Sequence, residues 1–339
     1  MSHSMFNLRQ STILRIAIFT FALGFTVAAQ AQTPSVQSLP PALRAAVLSG
    51  NANAVQAAIS TLSGGNPQQA GALAASVISA AESLVATNPQ TAINVASAAV
   101  QSVRATTVQQ SSPQQTQTVL TTAARIFVNP AVQQVAPALA ASVATSTLQA
   151  AQTTANSALV ASVATAAVTT AEKVLTTNPA AAVQLAATAV AAVSSSSVSS
   201  SSPTQALQVA ETAARIAVQP VAQNAGPAVV AQIATGVANL VTTPTVYQAS
   251  PQAAVSVLAN AYAAAKSPTV TAAVPGAATS VSQTITAASQ NTALGQANAS
   301  NASQLNAILN PNQPTTTTTI NDAPAPVETP VNQGSSSPN

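Results

Sequence analysis

Small apolar residues recur along most of this chain at helical spacing. Val119, Ala123, Ile126 and Phe127 mark one face of one segment, and Leu207, Ala210, Ala214 and Ala217 do the same further on. A third face comprises Ala254, Leu258, Ala261, Tyr262 and Ala265. The i, i+4, i+7 recurrence is that of an amphipathic helix. Val and Thr are frequent enough to raise strand as the competitor, but period-two alternation is not sustained over these segments. The starts of the segments are also marked. Asn-Pro and Ser-Pro pairs set a capping side chain directly before a proline at the first helical position, where its missing N–H costs nothing. Between them run stretches dominated by Ala, the best helix former. The pattern predicts helices of roughly 15 to 20 residues separated by Pro-marked turns.

These segments repeat. Residues 81–146 align without a gap on 171–236, an offset of 90, with 29 of 66 positions identical. Glu82 falls on Glu172, Asn88-Pro89 on Asn178-Pro179, and Ser112-Pro113 on Ser202-Pro203. Thr122, Arg125 and Ile126 fall on Thr212, Arg215 and Ile216, with Pro130 on Pro220 and Pro137 on Pro227. Biased composition inflates identity at Ala and Val, but not at prolines, a glutamate and an arginine. The second half of the unit recurs 48 residues later: Ser250-Pro251, Pro268 and Pro275 match, and Ala263 replaces the arginine. Asn66-Pro67 resembles Asn88-Pro89, so a unit of 22 to 24 residues underlies the whole.

The expected fold is all-α: Ala-rich helical hairpins stacked as a bundle or short α-solenoid. An alanine methyl removed from water contributes only about 0.8 kcal/mol, whereas fixing a backbone residue costs about 1–2 kcal/mol. A single hairpin therefore cannot fold alone, and neighbours must extend the core. The spacing fits neither tetratricopeptide nor HEAT arrays, whose signature aromatics are absent, and no family is claimed. The organisation reads as a signal peptide (1–31), an N-terminal segment (32–50), helical repeats over 51–146 and 147–236, and a partial third repeat over 237–286. A polar capping segment (287–310), expected to hold one more helix, precedes a Pro/Thr/Ser/Asn-rich tail (311–339). The tail cannot bury enough surface to fold and is expected to be disordered. The Ser-rich stretch 194–202 reads as a flexible loop.

Composition places the protein and narrows its chemistry. Arg9 and Arg15, an apolar stretch over 16–29, and Ala29-Gln30-Ala31 are the parts of a secretory signal peptide of bacterial character, with cleavage expected after Ala31. The apolar stretch is shorter than the ~20 residues of a spanning helix, so no stable membrane span is expected after cleavage. The destination is periplasmic, envelope or extracellular. With no cysteine, neither disulfides nor a lipid anchor on the first residue after cleavage is available. The sequence pI near 10.0 overstates the charge. After cleavage Arg44, Arg104, Arg125, Lys173, Arg215 and Lys266 stand against Glu82, Glu172, Glu211, Asp322 and Glu328, a net +1. Scattered charges with hardly an aromatic do not suit nucleic acid.

No catalytic, cofactor-binding or metal-binding residue is assigned, and no cofactor is expected. The only histidine, His3, lies in the leader, which removes the commonest general base and a zinc site. Glu82 and Glu172 are repeat equivalents rather than a catalytic pair, and no motif frames Lys173 or Lys266 as half of a Ser-Lys dyad. Arg125 and Arg215 could form a repeated anion-binding row; the favoured reading is structural, each covering a helix end or pairing with Glu82 or Glu172. Asn298-Ala-Ser and Asn301-Ala-Ser match the glycosylation acceptor pattern, here read as accidental.

The functional expectation is a non-catalytic structural or scaffold protein that self-associates or holds a protein partner. A helical-repeat binding module for a peptide or polymer is the alternative. It would need clustered large side chains, and Phe127, Tyr247 and Tyr262 are the only aromatics after the leader. A β-assembling matrix protein is opposed by frequent proline, and a membrane-surface helix lacks a basic face.

Overall fold

The computed structural model describes residues 36–310. The signal peptide and the Pro/Thr-rich tail expected from the sequence lie outside the described residues. Within them every regular element is a helix. After a 3-10 turn (Val36–Ser38) come α1 (Pro41–Ser49), α2 (Ala52–Ser63), α3 (Pro67–Leu84), α4 (Pro89–Val103), α5 (Thr106–Ser111), α6 (Pro113–Val128), α7 (Pro130–Val135) and α8 (Pro137–Gln152). The same series returns as α9 (Ser157–Val174), α10 (Pro179–Val193), α11 (Ser196–Ser201), α12 (Pro203–Ala217), α13 (Pro220–Ala225) and α14 (Pro227–Val241). It continues with α15 (Pro244–Ala249), α16 (Pro251–Lys266), α17 (Pro268–Ala273), α18 (Ala277–Ser289), α19 (Thr292–Ala297) and α20 (Asn301–Leu309).

The protein is an all-α solenoid of two helical layers. Each long helix packs on the next long helix along the chain and on the one after it. That connectivity puts α3, α6, α9, α12, α16 and α20 in one layer, and α2, α4, α8, α10, α14 and α18 in the other. Short turns at 85–88 and 175–178 fold α3 on α4 and α9 on α10 as antiparallel hairpins. The six-residue helices connect the layers along two edges, with α11, α15 and α19 touching in one row and α13 and α17 in the other. Ser196, Pro220, Pro244, Pro268 and Thr292 begin successive short helices 24 residues apart, which is the short unit read in the sequence.

The Pro-marked turns thus prove to be helices themselves. Prolines seven residues apart, such as Pro130 and Pro137 or Pro220 and Pro227, each start a helix. The second cannot continue the first, because its ring removes the N–H and restricts the residue before it. Asn66, Asn88, Asn129 and Asn178 of the Asn-Pro pairs cap helices through their side chains, as expected, and Asn51, Asn156 and Asn291 do so without a following proline. Ser112, Ser202 and Ser250 do not: none makes a side-chain cap bond. Ser112 lies buried, and its hydroxyl donates instead to the Gln68 carbonyl of α3 at 3.4 Å.

Two further expectations are corrected. Residues 196–201 form α11 rather than a flexible loop, because Val198 is buried at the position Val108 holds in the first copy. Buried anchorage outweighs a serine-rich composition there. The polar stretch before residue 310 holds α19 and α20 rather than one helix.

The core is continuous and built mostly of Ala, Val, Leu and Ile. The three faces read from the sequence are all buried except for half-buried Tyr262. Small side chains let helices approach closely. The extreme case is Gly71 of α3, where a Cβ would stand 2.6 Å from the Ser112 Cβ.

Candidate functional site

Seven of the nine charged side chains among the described residues gather on one layer, the others being Arg44 of α1 and Arg104 at the end of α4. Glu82, Arg125, Glu172, Lys173, Glu211, Arg215 and Lys266 all belong to α3, α6, α9, α12 or α16. The repeat that duplicated the helices duplicated a bridge between them. Arg125 of α6 grips Glu82 of α3 with Nε at 2.8 Å from Oε1 and Nη2 at 3.1 Å from Oε2. Arg215 of α12 reaches Glu172 of α9 with Nη2 at 3.0 Å, and its Nη1 lies 3.5 Å from Glu211 Oε1. Each arginine also donates to a hydroxyl three residues back, Thr122 or Thr212. Both guanidinium groups are therefore engaged, the pairing anticipated from the repeat, and neither row presents an open anion site. These groups are one-third to three-fifths exposed, so each bridge adds under about 1 kcal/mol and acts chiefly to fix the register of neighbouring helices.

The residues weighed for catalysis are not brought together. Glu82 and Glu172 stand on α3 and α9, with α6 packed between these helices. Lys266 lies over the Tyr262 ring, 5.4 Å from its centroid. Among the described residues neither lysine makes a hydrogen bond to a Ser or Thr hydroxyl, and no group of three or more His, Asp or Glu could hold a metal. No helix there is long and apolar enough to cross a membrane.

Two of the three aromatics are core residues. Phe127 is fully buried, and so is Tyr247 of α15. The Tyr247 hydroxyl donates to Asn301 Oδ1 of α20 at 2.6 Å and accepts from Asn298 Nδ2 at 3.3 Å. Asn301 Nδ2 donates in turn to the Ala288 carbonyl near the end of α18 at 3.0 Å. This buried network latches the C-terminal helices onto the stack. Burial raises the Tyr247 pKa above its ordinary value, with the Asn298 hydrogen bond acting the other way. The acceptor-pattern asparagines are the same two residues, and Asn301 is 1% exposed. Sequence reading missed this latch because Tyr247 lies some fifty residues from Asn298 and Asn301 and the three have no repeat partners.

A groove of about 350 Å³ opens between α2, α3, α4 and α5. Its apolar lining includes Ile59, Pro67, Ala70 and Val108, and its polar lining includes Gln56, Ser60, Gln101, Ser102 and Thr107. No ionisable side chain lines it. Nothing in the sequence singled out these neutral residues. No family model, no curated protein and no solved structure matches this chain.

Proposed function

We propose that this protein is a non-catalytic, exported structural or scaffold component of the bacterial envelope or extracellular matrix, acting through its stacked Ala-rich helices. The observation that carries this reading is the use of the ionised groups inside the array. Arg125 and Arg215 bind glutamates of the neighbouring helix, and among the described residues no group of three or more His, Asp or Glu could hold a metal. A two-layer array with near-neutral outer faces suits a spacer or platform that associates through its sides. The near-balanced charge likewise argues against a nucleic-acid partner, and the leader composition supports export.

The test is fractionation of the full chain expressed with its leader in a bacterial host. The reading requires a product beginning at Gln32 in the periplasmic, envelope or medium fraction. In sedimentation velocity it requires reversible self-association or association with envelope material. A cytoplasmic, uncleaved, strictly monomeric chain would overturn it. The neutral groove between α2 and α5 favours, as a second reading, a binding module for a polymer.

A further inference from the structure

The internal duplication supplies a control for what the repeat fold requires. Gln101 and Ser102 near the end of α4 correspond to Ala191 and Ala192 near the end of α10. Both helices run 15 residues and end at equivalent valines, Val103 and Val193. The fold is thus satisfied by alanine at both positions. The same comparison sets Gly65 and Ala70 of the first copy against the larger Ala155 and Val160 of the second. The first copy has the smaller Ala70 at one lining position and hydrogen-bonding groups at two where the second copy has alanine, while Gly65 also answers to its left-handed φ of 81°.

The lining groups are held in defined roles. Gln101 Oε1 accepts from Arg104 Nη1 at 3.1 Å, which turns the amide NH2 into a donor for the groove. Ser102 Oγ donates to the Ala98 carbonyl at 2.9 Å, leaving its lone pairs as acceptors. Asn66 Oδ1 is taken by the N–H groups of Gln68 and Gln69, leaving its NH2 as a second donor. The lining thus offers both donors and acceptors beside apolar side chains, and none of its residues is charged. A volume of about 350 Å³ lies within the range of about 300–1,000 Å³ typical of small-ligand sites.

We propose that this groove binds a neutral saccharide unit of a glycan. A sugar ring has an apolar face to lay on Pro67 and Ala70, the partly exposed apolar residues of the lining, and a rim of hydroxyls that each donate and accept. No charged side chain lines the groove, and Arg104 beside it is turned to the Gln101 and Gln149 amide oxygens, so an anionic or cationic ligand would lose its hydration with no opposite charge directed at it. A purely apolar ligand would leave the amides unpaired. The inference goes beyond the scaffold reading, and its failure leaves that reading standing.

The experiment is 15N–1H NMR titration of the chain from Gln32 with maltotriose, chitotriose and, as a charged control, trigalacturonate. The side-chain NH2 signals of Gln56, Asn66 and Gln101 should shift with at least one neutral trisaccharide, and not with trigalacturonate. The double variant Gln101→Ala, Ser102→Ala copies the second repeat, so its helical signal and melting midpoint should match the parent. Its affinity should fall about tenfold or more, the loss of two hydrogen bonds. Gln56→Ala, on the separate helix α2, should weaken binding in the same direction. Absence of shifts with both neutral sugars, stronger binding of trigalacturonate, or undiminished binding by the folded double variant would overturn the proposal.

Discussion

Substitution of Tyr247 by phenylalanine removes one oxygen from a fully enclosed site and leaves the ring in place. The consequence follows from what that oxygen binds. Asn301 Oδ1 loses its 2.6 Å donor, whereas Asn298 Nδ2 keeps Gln304 Oε1 at 2.9 Å. Asn301 is 1% exposed, so water cannot replace the lost partner. A buried acceptor left unpaired costs about 1–3 kcal/mol. In a repeat array stability is local, so the cost should appear where α20 docks. Hydrogen exchange of α19 and α20 should accelerate by roughly 5- to 150-fold, the same free energy expressed as an opening equilibrium, while α3–α8 is unchanged. The double variant Tyr247→Phe, Asn301→Leu removes both polar partners and should recover much of the loss, because paired apolar replacements avoid the orphaned group. Equal exchange in Tyr247→Phe and parent, or acceleration spread over α3–α8, would refute this reasoning.

The same residue sets a pH response. Burial raises the folded pKa of Tyr247 above the ordinary 10.0, so the folded state holds the proton more tightly than the unfolded one. Its stabilising contribution is complete below pH 10.0 and is lost as pH climbs through the folded pKa; Tyr247→Phe should lack this alkaline loss in urea titrations. Phe127→Ala, which installs the residue its repeat equivalent Ala217 already carries, should destabilise by about 3–5 kcal/mol in chemical denaturation, since the first copy is packed around the ring. Arg125→Ala should cost under about 1 kcal/mol, and added salt should shrink the difference. Asn178→Ala removes the side-chain cap on Ala181 N and should cost about 1 kcal/mol by the same assay.

The helices and their stacking were legible because the signals were local and repeated. Pro89, Pro113, Pro137 and their copies start helices where the sequence placed them. The Arg125–Glu82 and Arg215–Glu172 bridges could be anticipated because both partners recur at the same offset. What was not legible depended on tertiary context. Composition made residues 196–201 a loop, but buried Val198 holds them as a helix. Ser-Pro resembles Asn-Pro in sequence, yet Ser112 turns its hydroxyl across to α3. The Tyr247 latch joins positions with no common motif, and the groove consists of neutral residues that match ordinary solvent-facing positions. Its signal lay in the difference between copies at Gln101 and Ser102, visible only once the repeat is treated as an internal reference.

Closure of the two-layer stack within a single chain is the claim on which the rest depends. Far-UV circular dichroism of the chain from Gln32, recorded over a hundredfold or wider concentration range, tests it directly. Strong helical minima with per-residue ellipticity independent of concentration is the result predicted, with any self-association then occurring between folded arrays. A coil or β spectrum, or helicity that appears only as concentration rises, would contradict it.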